Sequence, residues 1–311
     1  MFVDNNYLTY LPQTFQSFLD QITITTADNV VSLYGNPLNC ALLKQHLWLL
    51  TNKSKYQQQI WGAKCTNGEY LFDIELYQGK CRFHLNESVL ECNNIRGNDF
   101  DIRQEIVYLQ QIMDIQLNAF ELFAMDNCNV IEIPANALNS VPVSQVQLNN
   151  LAALTRIDRN AFISGSLYSL TIAGTNQLSF SNTVLTLVNS LYNLQWLSLS
   201  LGNGEQILPK NAFSPQLNRL QWIEFTPINY RILTIGENVI GQLDSLVYFS
   251  LSGIAIGEMA ANAFYYPHVS TEALRVNLSN CSLDETKLQN RPFEQILNRP
   301  ISLDLSEYAI L

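Results

Sequence analysis

The chain has 311 residues, 47% of them hydrophobic and 14% charged, which supplies ample material for a core and excludes disorder over most of its length. Its formal charge of −10 and the absence of any Lys/Arg run exclude a nucleic-acid surface, which needs clustered cations to replace counterions. No stretch approaches the roughly 18 uninterrupted apolar residues of a membrane span, and the opening MFVDNNYLTYLP has neither part of a signal peptide.

Residues 2–15, FVDNNYLTYLPQTF, read as x-L-x-x-N-x-L-x-x-L-P-x-x-F, the tail of a repeat with Asn6 at its Asn position. A looser repeat ends in VVSLYGNPLNC (30–40), followed by the short apolar helix candidate ALLKQHLWLL and by WGAKCTNGEYLFD. Gly35, Asn36, Pro37, Leu38, Cys40, Trp48 and Cys65 resemble the C-terminal cap of extracellular leucine-rich-repeat proteins. In that family a helix covers the open end of the core and disulfides pin it down. The family usually carries C-x-C at the first site. Leu42 stands at the second position here, so the resemblance implies a single Cys40–Cys65 bridge. Residues 1–72 are therefore expected to close a first repeat array.

Residues 73–116 carry Cys81 and Cys92 in a charged and polar stretch with helical spacing after 99. They resemble the covering segment ahead of a fresh array, where a disulfide staples loop-rich structure, so Cys81 and Cys92 are expected to be bridged.

Residues 117–311 carry a period. The phrases IPANAL (133–138), IDRNAF (157–162), LPKNAF (208–213), IGENVI (235–240) and GEMAANAF (257–264) share anchors at Ala137, Ala161, Ala212, Val239 and Ala263. Their steps are 24, 51, 27 and 24, the 51 reading as two repeats with a degenerate one around 178–188. Before the phrases runs an L-x-x-L-x-L pattern: Phe120, Phe123, Met125; Leu167, Leu170, Ile172; Leu194, Leu197, Leu199; Leu220, Ile223, Phe225; Leu246, Phe249, Leu251. Each L-x-L is a short strand with both apolar residues facing inward. One repeat cannot bury its own face, so stacking is obligatory. The period lies in the leucine-rich range of about 20–29, and the expected fold is an α/β solenoid, a leucine-rich-repeat horseshoe with a parallel concave sheet and an internal C-terminal-type cap. A parallel β-helix is the runner-up, less suited to return phrases of this length. Met1 falls inside a repeat and Leu311 follows the strand-like ISLDLS, so the chain reads as an internal fragment or truncated gene model, its signal peptide missing.

The second array also resembles arthropod secreted repeat proteins, some of them named after the non-catalytic subunit of Oplophorus-luciferin 2-monooxygenase. The resemblance is carried by VLECNNIRG, FELFAMDNCNVIEIPANAL, VQLNNLAALTRIDRNAF and LTIAGTNQLSF and spans about residues 85–311. It implies a secreted, enzyme-inactive scaffold or binding partner.

Cys128 and Cys281 each lie three residues after the second strand Leu/Met, at the repeat's Asn position, and are expected to be buried free thiols. Of four N-x-S/T sequons, Asn52 and Asn86 fall in exposed cap regions and are the glycosylation candidates, whereas Asn277 and Asn280 fall on or beside a strand. Cap resemblance and sequons together place the chain outside the cell or on its outer face, with no membrane insertion of its own. No metal is expected, because no C-x-x-C occurs and His46, His84 and His268 are scattered. The same scatter gives no nucleophile–base pair, and no nucleotide or hydrolase motif occurs, so no enzyme and no cofactor are expected.

Binding is expected either on the edges and convex side or on the concave face, at the outward residues of each L-x-L: Ala124, Gln147, Thr171, Ser198, Glu224, Ser250, Asn277 and Asp304. The flanking row is Asp126, Asn149, Ala173, Ser200, Thr226, Ser252 and Ser279. This reads as a small, polar, weakly acidic surface lacking Trp, Tyr and Arg. Tyr192, Trp196, Trp222, Tyr230, Tyr248, Tyr265 and Tyr266 are assigned to the convex side and edges, with Trp196 and Trp222 in core or inter-repeat packing. The expected function is an extracellular protein-binding module, for a protein or a glycan ligand. The alternative is a non-catalytic stabilising subunit of a secreted enzyme complex.

Overall fold

The computed structural model describes residues 4–21, 31–39, 48–49, 53–68, 70–73, 80–84, 88–96, 100–113, 119–163, 165–175, 177–178, 180–201, 204–226, 230–268, 271–281, 283, 289–294 and 299–306. Cys40, His46, Asn52 and Asn86 lie outside them. The chain forms two compact units, residues 1–79 with 106–116, and residues 80–105 with 117–311.

The first unit contains helix α1 (Thr14–Gln21), strand β1 (Val31–Ser32), the single turn α2 (Lys53–Tyr56) and strand β2 (Ile60–Trp61), which runs parallel to β1. Leu11, Leu19, Val31, Leu33, Leu38 and Tyr56 form its core. Asn36 is buried in the turn after β1. Its side-chain oxygen accepts from the backbone N–H groups of Asn6 and Leu8, and its amide donates to the Leu33 carbonyl. The Asn of G-N-P-L thus binds the preceding repeat to its own. Trp48 donates its indole N–H to the Leu11 carbonyl at 3.2 Å and meets the Tyr56 ring edge-on. Cys65 is disulfide-bonded.

The second unit is a parallel-sheet solenoid. Its long sheet begins with an antiparallel hairpin, β3 (Cys81–His84) and β4 (Val89–Asn93), whose ends are joined by the Cys81–Cys92 disulfide. From β4 onward every strand is parallel to its neighbour: β5 (Phe120–Asp126), β7 (Val143–Asn149), β9 (Ser169–Thr175), β10 (Trp196–Leu201), β12 (Trp222–Phe225), β14 (Tyr248–Ser250), β16 (Leu274–Asn277) and β17 (Ile301–Asp304). These eight strands mark about eight turns, one per repeat.

Smaller parallel pairings stack the returning segments. β6 (Glu132–Ile133) pairs with β8 (Arg156–Ile157), and β11 (Gly204–Leu208), β13 (Tyr230–Ile235) and β15 (Ala255–Met259) form a three-stranded sheet. The 178–188 stretch behaves differently. Phe180–Val184 forms a π-helical turn running into helix α4 (Leu185–Val188), so this repeat returns as helix, with Leu185, Leu187 and Val188 buried where others bury Ala and Phe. Helix α3 (Ile102–Met113) begins with Asp101, whose carboxylate accepts from the Arg103 backbone N–H. Glu105 in its first turn is buried and accepts from the backbone N–H groups of Lys80 and Cys81, tying down the start of the hairpin.

The recurring phrase has a conformational cause. Asn136, Asn211, Asn238 and Asn262 all adopt φ between 52° and 56°, the left-handed region that Asn tolerates better than other residues with a Cβ. A second set, Asn94, Asn127, Asn150 and Asn280, turns the chain after the strand in the same way, with Gly174 and Gly253 in the same position. The anchors that follow stack directly: the Ala137 N–H donates to the Ala161 carbonyl, and the Val239 N–H to the Ala263 carbonyl. All five anchors are buried.

Cys128 and Cys281 are free and buried. Each thiol donates back to the strand before it, Cys128 to the Cys92 carbonyl and Cys281 to the Leu251 carbonyl, both at 3.0 Å. Burial pushes the Cys281 thiol up to about 11 and raises Cys128 as well. Both should therefore resist iodoacetamide at about pH 8 in the native chain and react once it unfolds, because the thiolate is the nucleophile. Mass spectrometry of the alkylated protein checks this. Above the ordinary thiol range the unfolded chain loses the proton first, so raising pH through that window disfavours the folded state.

Candidate binding face

In a parallel sheet, register partners on one face form continuous rows. Ala124, Gln147, Thr171, Ser198, Glu224, Ser250, Asn277 and Asp304 are successive partners, and Glu91 on β4 extends the row by one. The structure thus brings all the outward L-x-L residues together. They are not equally available. Ser250 is only 1% exposed, flanked by the longer Glu224 and Asn277, and contributes little surface. In the next row Asp126, Asn149, Ala173 and Ser200 are partners, and the Ser200 hydroxyl is turned to the Thr226 carbonyl.

The reading that this face lacks Trp, Tyr and Arg is overturned. Two residues before the L-x-L outward row runs another on the same face: Leu122, Gln145, Ser169, Trp196, Trp222, Tyr248, Arg275 and Ser302. The strands start earlier than L-x-L, so period-2 alternation carries the aromatics outward and not to the convex side. Trp196 and Trp222 stack with ring centres 4.4 Å apart and planes 6° apart, and Trp222 stacks on Tyr248 at 3.8 Å and 21°. They do pack between repeats, but on the open face. Trp196, at the end of the stack, is 40% exposed. The indole N–H of Trp222 is buried and finds no acceptor among the described residues.

Beside Trp196 lies a groove of about 540 Å³. Ser169 and Thr171 form its floor with Tyr168 beside them in the same repeat, and Gln145 and Gln147 line it from the preceding repeat. Glu121 accepts from both the Tyr168 hydroxyl and the Gln145 amide, fixing that wall.

Of the other aromatics assigned to edges, Tyr266 is 0% exposed. Its hydroxyl donates to the Leu243 carbonyl and accepts from the Arg299 guanidinium, a partner 33 residues away that local pattern cannot reveal. Tyr192 is exposed and its hydroxyl lies over Gly165, where a Cβ would meet it at 2.5 Å. Tyr265 is half-buried, and the Tyr230 side chain is outside the described ones. His268 contacts the Gly241 carbonyl and Asp244, and His84 pairs across its hairpin with Glu91. Among the described residues no cluster of three or more His, Cys, Asp or Glu could hold a metal, and no helix is long and apolar enough to cross a membrane.

No family model and no curated protein matches the chain. Among solved structures, human 5T4 (Wnt-activated inhibitory factor 1, trophoblast glycoprotein) is similar over 75% of this chain and 82% of its own, at 15% identity and a TM-score of 0.47.

Proposed function

We propose that the chain is an extracellular module that binds a protein partner on the open face of its long sheet and carries out no chemistry of its own. The observation that supports this most is the stack of Trp196, Trp222 and Tyr248, with Trp196 left exposed amid small polar neighbours. Trp and Tyr are the side chains that dominate interface hot spots, because they bury large rigid area for few frozen torsions. A sheet of parallel strands holds such a stack in place without a partner present. Gln147, Thr171, Ser198, Glu224, Asn277 and Asp304 would supply the polar surround.

The Cys81–Cys92 disulfide supports an oxidising compartment. The resemblance of residues 85–311 to secreted arthropod repeat proteins supports the same placement, with Asn52 and Asn86 as glycan attachment points. Within this reading, residues 1–72 close one array, 73–116 cover the start of the next, and 117–311 form the second. If the partner is a secreted enzyme, the module serves as its non-catalytic stabilising subunit.

Capture from extracellular fluid of the source tissue tests the reading. Wild-type protein should retain a partner, and Trp196→Ala should weaken it about 30-fold, the loss expected for a hot-spot tryptophan of about 2 kcal/mol. Equal retention by both proteins would place binding elsewhere and sink the proposal.

A further inference from the structure

The open face changes height abruptly beside Trp196. Along the aromatic row, Ser169 precedes Trp196 in register. Trp222 covers one face of the Trp196 ring, so the other turns toward Ser169, whose side chain is too short to cover it. The free indole face thereby becomes one wall of the groove.

Apart from Trp222 and Val247, the rest of the lining offers uncharged polar groups. Four carboxamides, Gln145, Gln147, Gln195 and Gln221, converge on it. Gln145 is committed to Glu121 through its nitrogen. The side chains of Gln147, Gln195 and Gln221 make no hydrogen bond to another described residue. Among the described residues no Lys, Arg, Asp or Glu lines the groove. A charged ligand would be desolvated there without a counter-charge, and an apolar one would cut the amides off from water. A carboxamide donates and accepts from one planar group, as a hydroxyl does from one atom, so vicinal hydroxyls match it with paired bonds. The volume lies in the range of small-molecule sites, about 300–1,000 Å³.

We propose that this groove binds a neutral pyranose unit of a glycan, its C–H face on Trp196 and its hydroxyls on Gln147, Gln195 and Gln221. This rests on the open face being the binding surface, and it makes the partner a glycoprotein.

Saturation-transfer NMR on the full chain tests it, with maltotriose, cellotriose, chitotriose and mannotriose as probes and glucuronate as the charged control, which should show no transfer. At least one neutral sugar should show transfer to its ring C–H protons, with a dissociation constant of about 1 mM. Thr171→Phe fills the floor while keeping Trp196, and should weaken that signal at least about 10-fold; circular dichroism confirms the fold. No signal from any neutral sugar at about 10 mM, or a signal unchanged in T171F, would overturn the inference. A captured partner that depends on Trp196 but stays bound after enzymatic deglycosylation would also overturn it, leaving the protein-binding reading intact. Sugar binding without a captured protein would support the groove and sink that broader reading.

Discussion

Replacing Phe249 with alanine should lower the stability of the unit formed by residues 80–105 and 117–311 by about 3–5 kcal/mol, the range for truncating a large aromatic in a packed core. Phe249 is fully buried on β14, its ring 6.2 Å from Phe225 in the preceding repeat and 5.6 Å from Phe264 in its own return phrase. No neighbour can follow it into the space, because each ring is held by a strand or turn in register. A solenoid turn contacts only its neighbours, so the cavity also weakens the coupling on either side. The urea transition should therefore lose cooperativity as well as midpoint, turns before β14 unfolding separately from those after it. Circular dichroism and tryptophan fluorescence, which weights β10 and β12 within this unit, would then disagree in midpoint. A loss below about 1 kcal/mol would mean that Phe249 is not a core residue.

Arg299→Met should cost about 2–3 kcal/mol, the sum of two opposing effects. Arg299 is 8% exposed, and its guanidinium reaches the Glu272 carbonyl at 2.6 Å, the Leu246 carbonyl at 2.5 Å and the Tyr266 hydroxyl at 2.9 Å. Removing it relieves the burial of a charge but strands the buried Leu246 carbonyl and Tyr266 hydroxyl at about 1–3 kcal/mol each. The stranding wins, because both groups lose their donor in a buried place that water does not reach without opening the turn. Equilibrium urea denaturation measures the balance. A Met variant as stable as wild type would mean that desolvation dominates and the guanidinium fork is not what joins these repeats.

Residue spacing carried the solenoid because its determinants are local. Ala137, Ala212, Val239 and Ala263 each directly follow a left-handed Asn, Ala161 fills the same buried site without one, and each L-x-x-L-x-L trio fills the same three sites. The outward row from Ala124 to Asp304 was legible for the same reason, since alternation along one short strand fixes its face. The aromatic ladder needed one more step of that alternation. The strand β10 starts at Trp196, before its L-x-L, so a period of 2 counted back from Ser198 finds Trp196 on the open face. Stopping at L-x-L hid it. Tyr266 and the 178–188 return were hidden differently. Burial of Tyr266 depends on Arg299, a non-local partner, and the helical return replaces Ala and Phe with a leucine-rich turn.

Site-specific photo-crosslinking tests the open-face assignment most directly. A benzophenone side chain at Ser198 sits two residues along the same strand from Trp196, while one at the exposed Ile163 sits on a return segment away from the sheet. In extracellular fluid of the source tissue, a discrete crosslinked partner should appear at position 198 and none at 163. Crosslinking at 163 with position 198 silent would contradict it, and move the binding surface off the sheet.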